Sequence, residues 1–285
     1  MIVSYRCERL LRDCLRSLRE HPPSRPLTIS VVDNDSGDGT AEMVAREFPH
    51  VRLRVCDRNL GFAAANNVAI RETGAPYVLV LNPDTRVGDG AIDGMLELMD
   101  THPEVGISGP RLVLEDGTFD HASRRSFPTP ISALGHFTGL GRRAERGPLA
   151  RYRAPHVEAG PVEAVNGAFM LIRRAALDQV GLFDEGYWMY MEDLDLCYRL
   201  AGAGWTTWYE PVVAVVHVKG GTTGPDRALR LNAAFHYGMY RFYRKHYAAQ
   251  RSPLLNLAVY CGIAVKLALS ALRSSAHRML RRARG

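Results

Sequence analysis

Cysteine is scarce. The five residues, Cys7, Cys14, Cys56, Cys197 and Cys261, are scattered, and no two of them have metal-ligand spacing. That pattern excludes a zinc ribbon or a disulfide framework and predicts reduced thiols in a cytosolic protein. An RNA-binding aromatic signature and a heptad zipper are missing too, so nothing points to nucleic acid. There is no internal repeat and no low-complexity tract. No secretory leader is expected, because charged residues follow directly on Ile2-Val3-Ser4. The chain opens almost inside a strand, and a few upstream residues are expected to have been clipped.

What is present reads as globular. Of 285 residues, 46% are hydrophobic and 23% charged, which suits one large domain or one domain with an appendage. The net charge is +6 and the pI about 9.2. The excess is uneven: residues 142–153 are Arg-rich, and from Arg273 onward there are five arginines and no acid. A basic tail suits phosphate or anionic lipid.

Strand and helix signals alternate. Strands are predicted over 1–5, 27–32, 51–56 and 77–81, and helices over 7–20, 40–48 and 62–72. This order predicts an α/β fold with a mostly parallel sheet covered by helices on both faces. A helix over 91–101 and one or two strands over 105–114 follow. Residues 116–160 have weak periodicity and read as a mobile surface segment over a cleft, with a short helix near 131–140. Strands over 162–173, a short helix over 174–180, an acid-initiated helix over 187–203, a strand over 206–218 and an aromatic amphipathic helix over 227–247 complete the pattern. Residues 254–272 are apolar apart from Asn256, Tyr260, Lys266 and Ser270, about the length of a short membrane span.

Polar signals cluster where strands end. The run Tyr77 to Leu81 stops at Asn82-Pro83-Asp84, and in open α/β sheets ligands bind beyond the carboxyl ends of strands. A carboxylate there can hold a metal or a sugar, although an Asp-containing turn reads equally well. Val32-Asp33-Asn34-Asp35-Ser36 offers acceptors for a base and a ribose, or an Asx turn capping the next helix. Asn59-Leu60-Gly61-Phe62-Ala63 brings small residues to a helix start, where a ligand can approach backbone N–H groups. It is not the dinucleotide-binding glycine fingerprint. Asn66 and Asn67 then sit inside a helix that disfavours them, which implies a polar task. Glu192-Asp193-Leu194-Asp195 puts three acids in one helical turn, favourable to the dipole, with Asp193 pointing away from the face shared by Glu192 and Asp195. His217 ends an apolar strand beside Lys219-Gly220-Gly221, where it can ligate a metal or touch a diphosphate.

Taken in order, these segments, with Val3-Ser4-Tyr5, Asn166-Gly167-Ala168-Phe169-Met170 and Phe183-Asp184-Glu185, resemble the family 2 inverting glycosyltransferases over residues 1 to about 250. The Asn-Leu-Gly-Phe-Ala and Asn-Pro-Asp forms are most similar to rhamnosyltransferase-type members that build cell-wall or O-antigen polysaccharide. The resemblance implies the nucleotide-sugar-binding A-type fold for a catalytic domain at 1–250, with a nucleotide-binding half at 1–115 and an acceptor and catalytic half at 160–225; beyond it, the apolar run and trailing arginines predict a basic amphipathic helix at 251–285. The resemblance also implies donor contacts at Ser4, Tyr5, Asp33, Asp35, Gly61, Asn66, Asn82 and Asp84. Asp84 and His217 would hold Mg²⁺ or Mn²⁺, Asp193 would be the base, and Asn166, Gly167, Trp188 and Glu192 would lie on the acceptor side. Arg6 stands where the family usually has Asn, and Asn82 replaces the first acid of its metal-binding pair. The implied reaction moves a sugar, rhamnose by likeness, from a nucleoside diphosphate to a lipid-linked or polysaccharide hydroxyl. Galactose, glucose and N-acetylglucosamine remain open as donor sugars, and so does a non-catalytic binding protein of the same fold. The tail and the lipid-linked acceptor predict attachment to the inner face of the cell membrane.

Overall fold

Tyr77-Val78-Leu79-Val80-Leu81 shows how the core is built. Side chains alternate across a strand; Val78 and Val80 join one apolar cluster, and Leu79 and Leu81 join another on the opposite face. A strand buried on both faces reads as a continuous apolar run, so this one lies centrally in a sheet. The computed structural model describes residues 1–128, 158–218 and 229–282, with side chains to residue 272. The short helix expected near 131–140, the Arg-rich 142–153 and the Lys219-Gly220-Gly221 loop lie outside the described residues.

The strands are β1 (Ile2–Ser4), β2 (Ser30–Asp33), β3 (Arg52–Val55), β4 (Tyr77–Leu81), β5 (Thr85–Val87), β6 (Val105–Val113), β7 (Arg124–Arg125), β8 (Gly160–Val162), β9 (Ala164–Val165), β10 (Phe169–Arg173) and β11 (Thr206–His217). The helices are α1 (Glu8–Glu20), α2 (Thr40–Glu47), α3 (Phe62–Arg71), α4 (Ala91–Thr101), α5 (Arg174–Val180), α6 (Glu192–Gly202), α7 (Leu229–His246) and α8 (Pro253–Arg282). The main sheet runs β3-β2-β1-β4-β10-β6-β11-β5, with β8 added on β11, and β7 pairs with β9 in a small second sheet. β10 is antiparallel to both its neighbours, while β3, β2, β1, β4, β6 and β11 share one direction. The sheet is therefore mixed, with most strands parallel. Leu11 and Leu15 of α1, Met43 of α2 and Met95 of α4 cover one face. Ala63 of α3, Leu177 of α5, Leu194 of α6 and Phe242 of α7 cover the other.

Several expectations are corrected. The second strand begins at Ser30 rather than 27, because β1 pairs from Ile2, opposite Val31, and residues 27–29 run past that ladder. Those residues instead line an apolar cavity of about 390 Å³ at the amino ends of the strands, with Met1, Pro76 and Tyr77. The helix expected from 187 starts at Glu192, since Tyr190 and Met191 take left-handed φ values of 69° and 74°, which end a helix rather than continue it. Within the expected surface segment 116–160, residues 116–118 are exposed, but Asp120, Ser123 and Arg124 turn inward and are at most 7% exposed. Ser123 stitches it to β6, accepting from the Leu112 N–H (3.0 Å) and donating to the Asp120 carbonyl (2.7 Å). β5 has three residues and no sequence signal.

Candidate active site

The carboxyl ends of β1, β2, β4 and β11 meet the amino ends of α3 and α6. At the β1–β2 end, the Asn34 N–H donates to the Ser4 carbonyl (2.8 Å), and the Arg6 N–H donates to Ser36 Oγ (3.0 Å). Ser4 is fully buried, and the Arg6 guanidinium lies 5.2 Å from the Tyr5 ring centre. Asp33 is buried, with one carboxylate oxygen on the Ser36 N–H (3.4 Å) and the other without a partner. Burial pushes its pKa up, against the pull of Ser36. An acceptor held this way suits the N–H or hydroxyl of a nucleoside. Asp35 is exposed, at φ 65°.

Asn34 fixes the neighbouring loop. Its Oδ1 accepts from the Leu60 N–H (2.8 Å) and its Nδ2 donates to the Gly61 carbonyl (3.2 Å). Gly61 has φ 85°, and a Cβ there would come within 2.2 Å of the Trp188 carbonyl. That carbonyl accepts from the Phe62 N–H (2.8 Å), so the segment before α6 crosses the start of α3. The two helical asparagines divide. Asn67 braces residues 183–185, donating to the Phe183 carbonyl (2.8 Å) and Glu185 (3.0 Å). Asn66 is fully buried, with Nδ2 on the Phe62 carbonyl (3.0 Å), one turn behind the loop.

Asp84 and His217 come together although 133 positions separate them, because β5 and β11 pair with Thr85 opposite His217. His217 Nε2 lies 3.6 Å from Asp84 Oδ1, and its Nδ1 lies 3.0 Å from Asp120 Oδ2. Sequence reasoning missed Asp120, which sits in the aperiodic stretch. It fixes the ring so that Nε2 faces Asp84, the usual support for a ligating imidazole. The Asn82 N–H donates to the Ala168 carbonyl (2.9 Å), joining this corner to the loop of residues 166–168.

In that loop Asn166 Nδ2 donates to the Ala122 carbonyl (3.3 Å), and its Oδ1 accepts from the Ala168 N–H (2.8 Å). The Gly167 N–H donates to Asp193 Oδ2 (3.1 Å). Arg125 Nη2, on β7, ion-pairs with the same oxygen. The Leu194 N–H donates to Asp193 Oδ1 (2.8 Å). Asp193 is 6% exposed, and its charge is compensated by Arg125, which no sequence pattern links to it. Glu192 beside it is buried, with Oε2 unpartnered. Burial, and then the Asp193 charge, raise its pKa well above the ordinary carboxylate value.

Asp195 faces away into another network. Tyr187 (3.3 Å), Arg199 (2.8 Å), Lys245 (2.8 Å) and His246 (2.8 Å) all reach its carboxylate. Burial alone would raise its pKa, but these partners hold it far below the ordinary value. The turn of three acids thus separates a structural residue, Asp195, from two that face the cleft side. Trp188 lies under the Arg230 guanidinium, 4.0 Å from its ring centre.

The model of glycosyl transferase family 2 matches residues 1–181. A protein of Mycobacterium tuberculosis named N-acetylglucosaminyl-diphospho-decaprenol L-rhamnosyltransferase is 36% identical over 281 residues, which is 92% of this chain and 90% of that protein. A structure of GalNAc-T7 with UDP, GalNAc and Mn²⁺ superposes with a TM-score of 0.62 at 15% identity, covering 85% of this chain but 46% of that one. The mannosyltransferase PcManGT of Pyrobaculum calidifontis, in complex with GDP-Man and Mn²⁺, gives 0.58 at 18% identity, covering 99% of this chain and 78% of that one. These likenesses establish the A-type glycosyltransferase fold, and the chain belongs to glycosyl transferase family 2.

Proposed function

We propose that the protein transfers rhamnose, with inversion, from a thymidine diphosphate donor to a hydroxyl of a lipid-linked N-acetylglucosaminyl diphosphate in cell-envelope synthesis. The near full-length likeness to the mycobacterial rhamnosyltransferase supports this choice of donor sugar and acceptor. The observation that carries the reaction is Asp193, a buried carboxylate held by the Gly167 N–H and Arg125.

Asp33 and the Asn34-braced Gly61 loop receive the nucleoside, with Ser4 and Tyr5 beside them. Asp84 and His217 suit Mg²⁺ or Mn²⁺. The set is one carboxylate and one imidazole whose far nitrogen is already committed to Asp120. Among the described residues no three acids, histidines or cysteines converge on one point. A site of this kind shares its ion with substrate phosphates and water rather than caging it. When bound, the cation offsets the negative charge that builds on the departing diphosphate.

Asp193 takes the proton from the acceptor hydroxyl as that oxygen attacks the anomeric carbon from the face opposite the diphosphate. One displacement inverts the centre. A single base is enough, because a diphosphate leaves without being protonated. Arg125 and the Gly167 N–H keep the carboxylate in place, and Asn166 fixes the loop that carries Gly167. Asp193→Asn is expected to keep donor binding, read as a nucleotide-induced rise in melting temperature, and to lose turnover about a hundredfold or more. Turnover within a few-fold of the parent would remove Asp193 from this role.

A further inference from the structure

The last helix, α8, carries an inverted amphipathic pattern. α8 packs antiparallel on α7. The Tyr243 hydroxyl donates to Asn256 Oδ1 (2.7 Å), Tyr260 rests against Tyr240 (5.1 Å) and Tyr243 (5.7 Å), and Ser270 Oγ donates to Asn232 Oδ1 (3.1 Å). Lys266 is half-buried on the same stripe, where burial lowers its pKa. The polar residues of the apolar stretch therefore turn toward the protein. The opposite stripe, Leu254, Leu257, Cys261, Val265, Leu269 and Leu272, recurs every three or four residues and is exposed, its leucines and valine by 51–78%. A helix on the surface of a water-soluble domain shows the reverse arrangement. Residues Pro253–Leu272 are apolar enough to cross a membrane, yet their polar contacts with α7 hold them alongside it at both ends.

Charge selects the partner. The last 59 residues hold twelve of the 36 lysines and arginines and none of the 30 aspartates and glutamates. Arg273, Arg278, Arg281 and Arg282 continue α8 beyond the apolar stripe. The Ser270–Asn232 contact brings that end of α8 beside the first turn of α7, where Arg230 covers Trp188. A second copy of the same surface would offer these cations no acid to meet. An anionic bilayer offers both acyl chains and phosphates.

We propose that α8 lies in the surface of an anionic bilayer with its outward stripe at the acyl boundary. Its arginine end then sits beside Trp188, so that acceptor and protein meet on one membrane surface. The inference rests on the lipid-linked acceptor of the preceding section for its purpose, and on the stripe and the charge for its support.

Cys261 lies in the middle of the stripe and provides a native reporter. In a Cys56→Ser background the remaining cysteines, Cys7, Cys14 and Cys197, are buried, so an environment-sensitive dye can be placed on Cys261 of the full chain. Phosphatidylcholine vesicles with phosphatidylglycerol should shift its emission to the blue and allow quenching by a lipid-borne quencher. Vesicles without phosphatidylglycerol should do so far less. A Leu257→Gln/Val265→Gln/Leu269→Gln variant should keep its melting temperature and its transfer to a short, water-soluble acceptor, while vesicle affinity falls about tenfold or more. A dye that stays water-exposed, or a triple variant that binds vesicles like the parent, would overturn the proposal. So would a dimer that the triple variant dissolves while the parent ignores vesicles. If the parent fails to use the short acceptor but binds vesicles, the proposed reaction fails and the membrane surface stands.

Discussion

Glu192 shows how one burial decision sets chemistry at the residue scale. Its carboxyl has no cation of its own and lies beside Asp193, so the folded protein favours its neutral form. The unfolded chain ionises it above about pH 4.3. Because the folded pKa is the higher one, stability falls as pH rises above the unfolded value. Glu192→Gln should therefore leave melting unchanged near pH 4 and raise it at pH 8 by a few degrees, on the order of 1–2 kcal/mol. Equal melting of the two proteins at both pH values would contradict this assignment. Asp33, Asp84, Asp193 and His217 could be proposed from sequence because each stands at the end of an apolar strand or in an acid-rich turn. Arg125 and Asp120 could not, since only the β7–β9 pairing and the turn after β6 bring them to Asp193 and His217. No local pattern links positions so far apart.

At the scale of elements, two contacts fix the start of α6 and the start of α3. Asp195 binds α7 to α6 through Lys245 and His246 and ties in Arg199. Asp195→Asn would leave that buried cluster of donors without its charge, at a cost of about 3–5 kcal/mol near neutral pH. A depressed carboxylate contributes stability above its unfolded pKa of about 3.9 and loses it as pH falls below. The difference from the parent should thus narrow at pH 3 in urea titrations, and a constant difference would refute the role. Gly61 meets both a left-handed φ and the Trp188 carbonyl, so Gly61→Ala should cost about 2 kcal/mol or more and weaken nucleotide binding. Unaltered unfolding and nucleotide-induced melting shifts in that variant would show the crossing to be loose. Most helices were legible from their 3.6-residue period, α4 and α5 to the residue. α6 was read too long because no sequence rule anticipates left-handed Tyr190 and Met191.

At the scale of the whole molecule, β10 matters most. It arrives from the second half of the chain and slots antiparallel between β4 and β6, so both halves of the chain share one sheet. That insertion sets Gly167 against Asp193 and Ala168 against Asn82. The alternation of strands and helices predicted a largely parallel sheet, but it could not show one reversed strand at its centre, because pairing partners leave no mark on periodicity. Rhamnosyl transfer with Asp193 as base is the proposed reaction. The most direct test gives the full chain, on vesicles bearing polyprenyl-diphosphate-linked N-acetylglucosamine, thymidine diphosphate rhamnose and the uridine diphosphate sugars in turn, with and without Mg²⁺ or Mn²⁺. Mass spectrometry should find one rhamnose added from the thymidine donor, dependent on the cation, inverted by NMR and absent with Asp193→Asn. A hexose accepted from a uridine donor in its place, a retained configuration, or no transfer from any donor would rule this reaction out.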